Sequence, residues 1–218
     1  MLTAQYTDRN EAGQVLAERL RALNLSKTPL VLAIPNGGLA VAIPVAKQLR
    51  ADLDLLIVRK LQIPYNPEAG FGAITSLGTV ILNRPLITRI GLTEVEIEQV
   101  IIRTRAQIES RQSIYSDLVG CYSPANRVIV LVDDGLASGY TMLAAIESVQ
   151  QKAPEKILVA VPTASATAMT KVREVVDTLV CPHIGKGFVF AVADAYQNWY
   201  DVSDEEVINL LQRFRTEE

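Results

Sequence analysis

One stretch constrains the fold more than any other: Arg127-Val-Ile-Val-Leu-Val-Asp133-Asp134-Gly135-Leu136-Ala137-Ser138-Gly139-Tyr140-Thr141-Met142. The run from Val128 to Val132 is mostly β-branched, long enough for one buried strand and too short for a helix. Two carboxylates follow directly, which places them at the carboxyl end of that strand. Gly135 and Gly139 bracket a short turn carrying the hydroxyls of Ser138 and Thr141, and Met142, Ala145, Ile146 and Val149 then recur at helical spacing. A helix start offers free N–H groups and a partial positive charge, and glycine lets backbone approach an anion closely. The acid pair beside it repels phosphate, but it can accept hydrogen bonds from sugar hydroxyls or hold a hydrated cation.

A buried strand leading into a solvated turn, with the acids capping a helix, would share part of this pattern. A P-loop is excluded because no Gly-Lys-Ser/Thr is present, and no Gly-x-Gly-x-x-Gly occurs. The ordered set, VIVLVDDGLASGYT, resembles the phosphoribosyl-pyrophosphate (PRPP) signature of the type I phosphoribosyltransferase family. The whole chain is also similar to bacterial phosphoribosyltransferases of unassigned substrate.

Composition narrows the partners. The 218 residues are 49% apolar and 21% charged, ordinary for one globular domain with an ample core. A net charge of −3 argues against a nucleic-acid surface. Cys121 and Cys181 make no disulfide framework, and the single histidine leaves no zinc cluster. No signal-like segment and no membrane-length apolar run stand out, so a cytoplasmic protein without a membrane partner is the expectation.

Along the chain, Asp8 to Glu11 has capping-box spacing and opens a surface helix to about Leu23. Leu30 to Ile34 is a strand, and Pro35-Asn36-Gly37-Gly38 is a tight turn before a helix that Pro44 should delay to about Val41 or kink. Leu53 to Val58 reads as the next strand, ending in Arg59-Lys60 on the edge that carries Asp133 and Asp134. Gln62 to Gly72 reads as a long loop, and Gly72 to Asn83 as a hairpin about Leu77-Gly78. A capping box at Thr93–Glu96 opens the longest helix, to about Tyr115, with Arg103, Arg105 and Arg111 on its solvated face. Further expectations are a strand at Ile157 to Val161, a small-residue turn from Pro162 to Ser165, a helix through Val175 and a strand at Thr178 to Cys181. Pro182 to Gly187, with His183 inside it, reads as loop, Phe188 to Val192 as a short strand, and Ser203 to Glu206 caps a last helix.

Alternating strands and helices predict an α/β fold, a mostly parallel sheet flanked by helices. The expected organisation is a single domain over 1–218, with a core over about 27–181 and a small hood from about 182–218, joined by the N-terminal helix over 8–23. The resemblance implies the roles. Asp133 and Asp134 would hold the ribose hydroxyls, and Leu136, Ala137, Ser138, Gly139, Tyr140 and Thr141 the 5-phosphate. Pro35, Asn36, Gly37 and Gly38, with Arg59, Lys60 and Mg²⁺, would hold the pyrophosphate. The magnesium would ride on the substrate, with Asp133 and Asp134 as candidate protein ligands. Many relatives carry a basic residue where Asn36 stands. Purine 6-oxo enzymes carry a carboxylate where Ala137 stands, so a base-protonating group is missing there, as in adenine or orotate types. The implied activity is PRPP-dependent ribosylation of an unspecified acceptor base in nucleotide metabolism, under a mobile loop at 62–72. Tyr196, Trp199 and Tyr200 are candidates for stacking on that base, and a homodimer is compatible with the reading. A PRPP-sensing binding protein of the same fold is the alternative, and a sugar-phosphate hydrolase using the acids as metal ligands fits the turn less well.

Overall fold

The computed structural model describes residues 4–25, 27–185 and 190–217. Helix α1 (Arg9–Arg21) starts where expected: the Asp8 carboxylate accepts the N–H of Glu11 at 2.9 Å. Its buried stripe is Arg9, Ala12, Gly13, Leu16, Ala17 and Leu20. Strand β1 (Leu30–Ala33) leads through the Pro35–Gly38 turn into α2 (Gly37–Leu49). This helix begins at Gly37 instead of near Val41 and runs on through Pro44. Proline lacks the N–H that would bond back one turn, and its ring lies where α1 crosses. A Cβ on Gly13 would stand 3.0 Å from the Pro44 ring, so the missing side chain lets the two helices close over it.

The expected strand Leu53 to Val58 is two. Strand β2 (Asp52–Leu55) joins the parallel sheet, while β3 (Val58–Ile63) pairs antiparallel with β4 (Asn66–Thr75), which pairs with β5 (Val80–Leu82). The apolar run is continuous because both pieces are buried, and the break between them falls at Leu56-Ile57. Arg59 and Lys60 therefore sit inside β3, on opposite faces by strand alternation, and not at the carboxyl end of a parallel strand. The stretch read as a loop over Gln62 to Gly72 is instead the β3–β4 hairpin, with Leu61, Ile63 and Phe71 buried. Helix α3 (Arg84–Ile90), absent from the sequence reading, is capped by Asn83 at one end and Gly91 at the other. Helix α4 (Glu94–Tyr115) carries the expected reciprocal Thr93–Glu96 cap.

Strand β6 (Val128–Val132) is fully buried and leads to α5 (Tyr140–Gln150). Then come β7 (Lys156–Ala160), β8 (Thr163–Ser165), α6 (Ala166–Arg173), β9 (Thr178–Val180) and β10 (His183–Gly185). Residues expected as turn and loop thus form a small parallel pair, β8 with β10. Of the strand expected at Phe188 to Val192, Phe188 and Val189 lie outside the described residues, as do Lys186 and Gly187 of the expected loop. Val192 opens a 3-10 turn, Val192–Ala195. Helix α7 (Asp204–Thr216) closes the chain, with Ser203 accepting the Glu206 N–H.

The main sheet has the order β2-β1-β6-β7-β9 with every pair parallel. Helices α1, α2 and α7 pack with one hydrophobic cluster, and α5 and α6 with another. The segments meet again outside the sheet: Gln5 and Tyr6 donate to the Ala195 carbonyl, and Gln197 donates to that of Tyr6. No helix among the described residues is long and apolar enough to cross a membrane.

Candidate active site

The parallel register aligns Ala33 with Val132, so the turn after β1 and the acids after β6 emerge side by side at the carboxyl edge. There Gly37 packs against the Asp134 carboxylate, and any Cβ on it would collide with Asp134 Oδ2. A Cβ on Gly38 would stand 3.0 Å from both the Cα of Asp133 and the carbonyl of Val132. The two glycines let the start of α2 reach the acid pair. Asn36 is fastened from the other side, its Nδ2 donating to the Val202 carbonyl at 2.7 Å and to Asp204 Oδ1 at 2.9 Å. Burial opposes the charge on Asp204, but hydrogen bonds from Asn36 and Tyr115 and the Arg111 charge hold its carboxyl below the usual range.

Asp133 and Asp134 are half-buried, and the Asp134 N–H donates to Asp133 Oδ1 at 2.8 Å. Burial pushes the Asp133 carboxyl well above the ordinary carboxylate value, and the Asp134 charge adds to it. Burial raises Asp134 as well, against the pull of Arg9. Such a pair resists carrying two full charges until hydroxyls or a cation use them.

Arg9 is the residue the sequence reading misses. Its Nε donates to Asp134 Oδ2 at 2.9 Å and its Nη1 to the Tyr200 carbonyl at 2.9 Å. The guanidinium lies 4.0 Å from the centre of the Trp199 ring and 5.7 Å from that of Tyr196. Tyr196 in turn donates its hydroxyl to the Asp134 carbonyl at 2.6 Å and packs on Tyr6, whose hydroxyl donates to the Pro162 carbonyl. Tyr196 is therefore buried structural material, whereas Trp199 and Tyr200 keep exposed surface. The signal for Arg9 is nonetheless present: a cation in the apolar stripe of α1, which needs a partner inside.

The turn from Leu136 to Thr141 is held by its neighbours. Leu136 exchanges backbone hydrogen bonds with Thr163 and Ser165, the Ser165 hydroxyl donates to the Ala137 carbonyl, and Lys171 donates to that of Ser138. Gly139, at φ 82°, turns the chain into α5 without a side-chain cap, so the first N–H groups of that helix are left for another acceptor. Lys171 lies 4.5 Å over the Tyr140 ring and adds positive charge, a contribution not foreseen from the sequence. Arg59 stands further off. It lines a cleft with Arg103, Arg111 and Asp204, and Asp204 in turn accepts from Asn36. Lys60 lies on the opposite face of β3, beside Gly70.

No three His, Cys, Asp or Glu residues cluster to hold a metal among the described residues. The two acids offer hard oxygen donors, a set that suits Mg²⁺ only when a substrate supplies the remaining oxygens. Their raised carboxyl pKa values fit a site that a cation would relieve.

Known proteins resemble this chain in sequence family and in fold. A family model described as "Phosphoribosyl transferase domain" matches residues 3–197. A Mycobacterium tuberculosis protein named "Putative phosphoribosyl transferase" is 35% identical over 208 residues, 95% of this chain and 46% of its own length. The chain thus spans about half the length of the curated relatives it matches. The crystal structure of TT1426 from Thermus thermophilus superposes with a TM-score of 0.80 at 34% identity, covering 96% of this chain and 99% of that one. A hypoxanthine phosphoribosyltransferase from Staphylococcus aureus shares the fold, with a TM-score of 0.51 at 13% identity over 94% and 93% of the two chains.

Proposed function

The chain belongs to the phosphoribosyl transferase domain family, and from that premise we propose that it transfers the 5-phosphoribosyl group of PRPP to a nitrogenous acceptor. One observation carries the reading: an acid pair at the end of β6 stands between a glycine helix start, Gly37-Gly38, and an uncapped helix start at Gly139. That order of groups would suit a molecule with two hydroxyls between two phosphate groups. The free oxygens of Asp133 and Asp134 accept the ribose hydroxyls. The N–H groups of the Leu136–Thr141 turn take the 5-phosphate, with Lys171 nearby. The Pro35–Gly38 turn takes the pyrophosphate. Magnesium, held by substrate oxygens with Asp133 and Asp134 as candidate ligands, would supply charge neutralisation at the leaving group.

In the reaction the C1–O bond breaks, its electron pair leaves with pyrophosphate, and the acceptor nitrogen forms the new bond at C1 and loses its proton. The transition state resembles an oxocarbenium ion, so the protein's work is positioning and electrostatics. The β3–β4 hairpin, with Tyr65 exposed near its tip, is the candidate cover. Trp199 and Tyr200 border the site from the tail and are candidates to face the acceptor.

A second reading, a PRPP-binding sensor without turnover, draws on the Arg9 contact, which fills one oxygen of Asp134. Incubation with Mg²⁺, PRPP and a panel of purine and pyrimidine bases, followed by pyrophosphate assay, separates the two. Pyrophosphate release with one acceptor is the expected result. Saturable PRPP binding with no release from any base would favour the sensor, and no PRPP binding would overturn both.

A further inference from the structure

A cavity of about 350 Å³ lies beside the end of β2, and no residue of the acid pair or of its two flanking turns lines it. Leu55, Leu56 and Ile57 are buried and form its inner wall. Leu55 and Ile57 belong to the hydrophobic cluster packed with α1, α2 and α7, whereas Leu56 belongs to the one packed with α5 and α6. The two cores thus meet at this edge of the sheet without closing it. The outer walls are the β4–β5 turn at Ser76-Leu77 and the connector into β6 at Val119-Gly120. Leu77 is 45% exposed, so it stands at the opening.

Both outer walls are held by hydrogen bonds, which keep them from collapsing inward. The Asp54 carboxylate accepts the N–H of Gly120 at 3.0 Å and that of Cys121 at 2.8 Å. The Ser76 N–H donates to the Ile57 carbonyl at 2.8 Å, and the Leu56 N–H to that of Ala33 at 3.0 Å. These last two bonds form the junction at which β3, β4 and β5 leave the parallel sheet.

Three polar groups on the walls are unused: the Ser76 hydroxyl, the Gln112 amide and the Lys152 ammonium have no side-chain partner among the described residues. Apolar walls supply most of the affinity in such sites, and a few polar groups orient the ligand. Asp54 also lines the cavity, but backbone N–H groups take up its oxygens. Lys152 is left as the charge free to meet a ligand.

We infer that this cavity is a small-molecule site, for a ligand with an apolar aromatic body and one anionic group that meets Lys152. Bound there, such a ligand braces the junction from which the β3–β4 hairpin projects. The site would exist whether or not the acid pair turns over PRPP.

Anilinonaphthalene sulfonate has this chemistry, and phenylnaphthylamine is its uncharged counterpart. Fluorescence titration of the full chain should show one saturable site, several-fold tighter for the sulfonate. Lys152→Gln should weaken the sulfonate about two- to fivefold, the worth of one exposed charge contact, and leave the uncharged compound alone. Leu77→Asp, at an exposed position that the fold should tolerate, should weaken both by about tenfold or more. Ile102→Ser, at an exposed position of α4 outside the cavity, should change neither. Hydrogen exchange locates the site: the Leu56 and Ser76 amides should slow with the sulfonate bound to the parent, and not in Leu77→Asp. No saturable binding, parent-strength binding by folded Leu77→Asp, or slowed exchange that spares Leu56 and Ser76 would overturn the site. Equal affinity for the two compounds would overturn the anionic ligand class.

Discussion

Arg9 Nε stands 2.9 Å from Asp134 Oδ2, joining the first residue of α1 to the acid pair after β6. The two side chains are 6% and 16% exposed, so this is a buried ion pair with a thin solvent contact on the acid side. Arg9→Gln leaves the carboxylate without its cation. Breaking a buried pair costs roughly 3–5 kcal/mol, and the lower end is expected because Asp134 can take up a proton. Loss of Arg9 raises the folded-state pKa of Asp134 further above its unfolded value. A raised acid is stabilising below its unfolded pKa and loses that stability as pH climbs toward the folded value. Urea denaturation should therefore show a larger deficit at about pH 7 than at about pH 5; equal deficits would mean that Arg9 acts by packing alone.

Gly37→Ala separates helix propensity from site geometry. Alanine in a helix gains roughly 0.5–1 kcal/mol over glycine. At Gly37, however, the methyl would collide with Asp134 Oδ2 and lie 2.8 Å from Arg9 Nε. Overpacking typically costs about 1–3 kcal/mol, so the clash should win. A lower melting temperature and a smaller PRPP-induced upshift are expected from thermal denaturation. A more stable variant would show that α2 can back away from the acids.

Asp54 is a separate test of the frame. Its carboxylate is 2% exposed and accepts the N–H groups of Gly120, Cys121 and Tyr122, besides that of Leu55. It thereby clamps the connector into β6 to the end of β2. Asn keeps one acceptor oxygen and turns an NH₂ toward donors, which strands at least one backbone N–H at about 1–3 kcal/mol. Asp54→Asn should lower the urea midpoint and speed hydrogen exchange at 120–122; unchanged exchange there would assign the clamp to packing.

These relationships differ in how far they can be seen from residues alone. The run from Val128 to Thr141 is legible because strand, acids and turn are contiguous, and each local preference agrees with the next. Thr93–Glu96 is legible for the same reason. Leu53 to Val58 misleads because an apolar run does not say which sheet it enters, and this one enters two. Gln62 to Gly72 misleads because Pro and Gly suggest loop, while the buried Leu61, Ile63 and Phe71 hold the hairpin in place. Arg111 reads as a solvated residue of α4 since its partner, Asp204, is 93 residues away. Arg9 escapes notice although it shares the apolar stripe of α1. Long-range pairing of charges leaves only that kind of trace, a polar residue where the periodicity asks for an apolar one.

The acid pair itself offers the sharpest test, because its two members should respond in opposite directions without ligand. Asp133 is held well above the ordinary carboxylate value near 3.8 by burial and then by the Asp134 charge. A folded-state carboxyl raised in this way binds more protons than the unfolded chain, so it lowers stability as pH rises from about 4 toward the folded value. Asp133→Asn keeps an oxygen for the Asp134 N–H, now at 2.8 Å, and removes the repelling charge. Its melting temperature should rise near neutral pH, and the fall of stability with pH should flatten. Asp134→Asn instead deprives the buried Arg9 of its counter-charge, so its melting temperature should drop. If the pair holds the ribose hydroxyls, both variants should lose most of the upshift that PRPP gives the parent, because each forgoes charge-assisted hydrogen bonds of roughly 1.5–3 kcal/mol. Two variants that melt alike would refute the unequal pairing with Arg9, and two that keep the full PRPP upshift would remove the acids from the binding site.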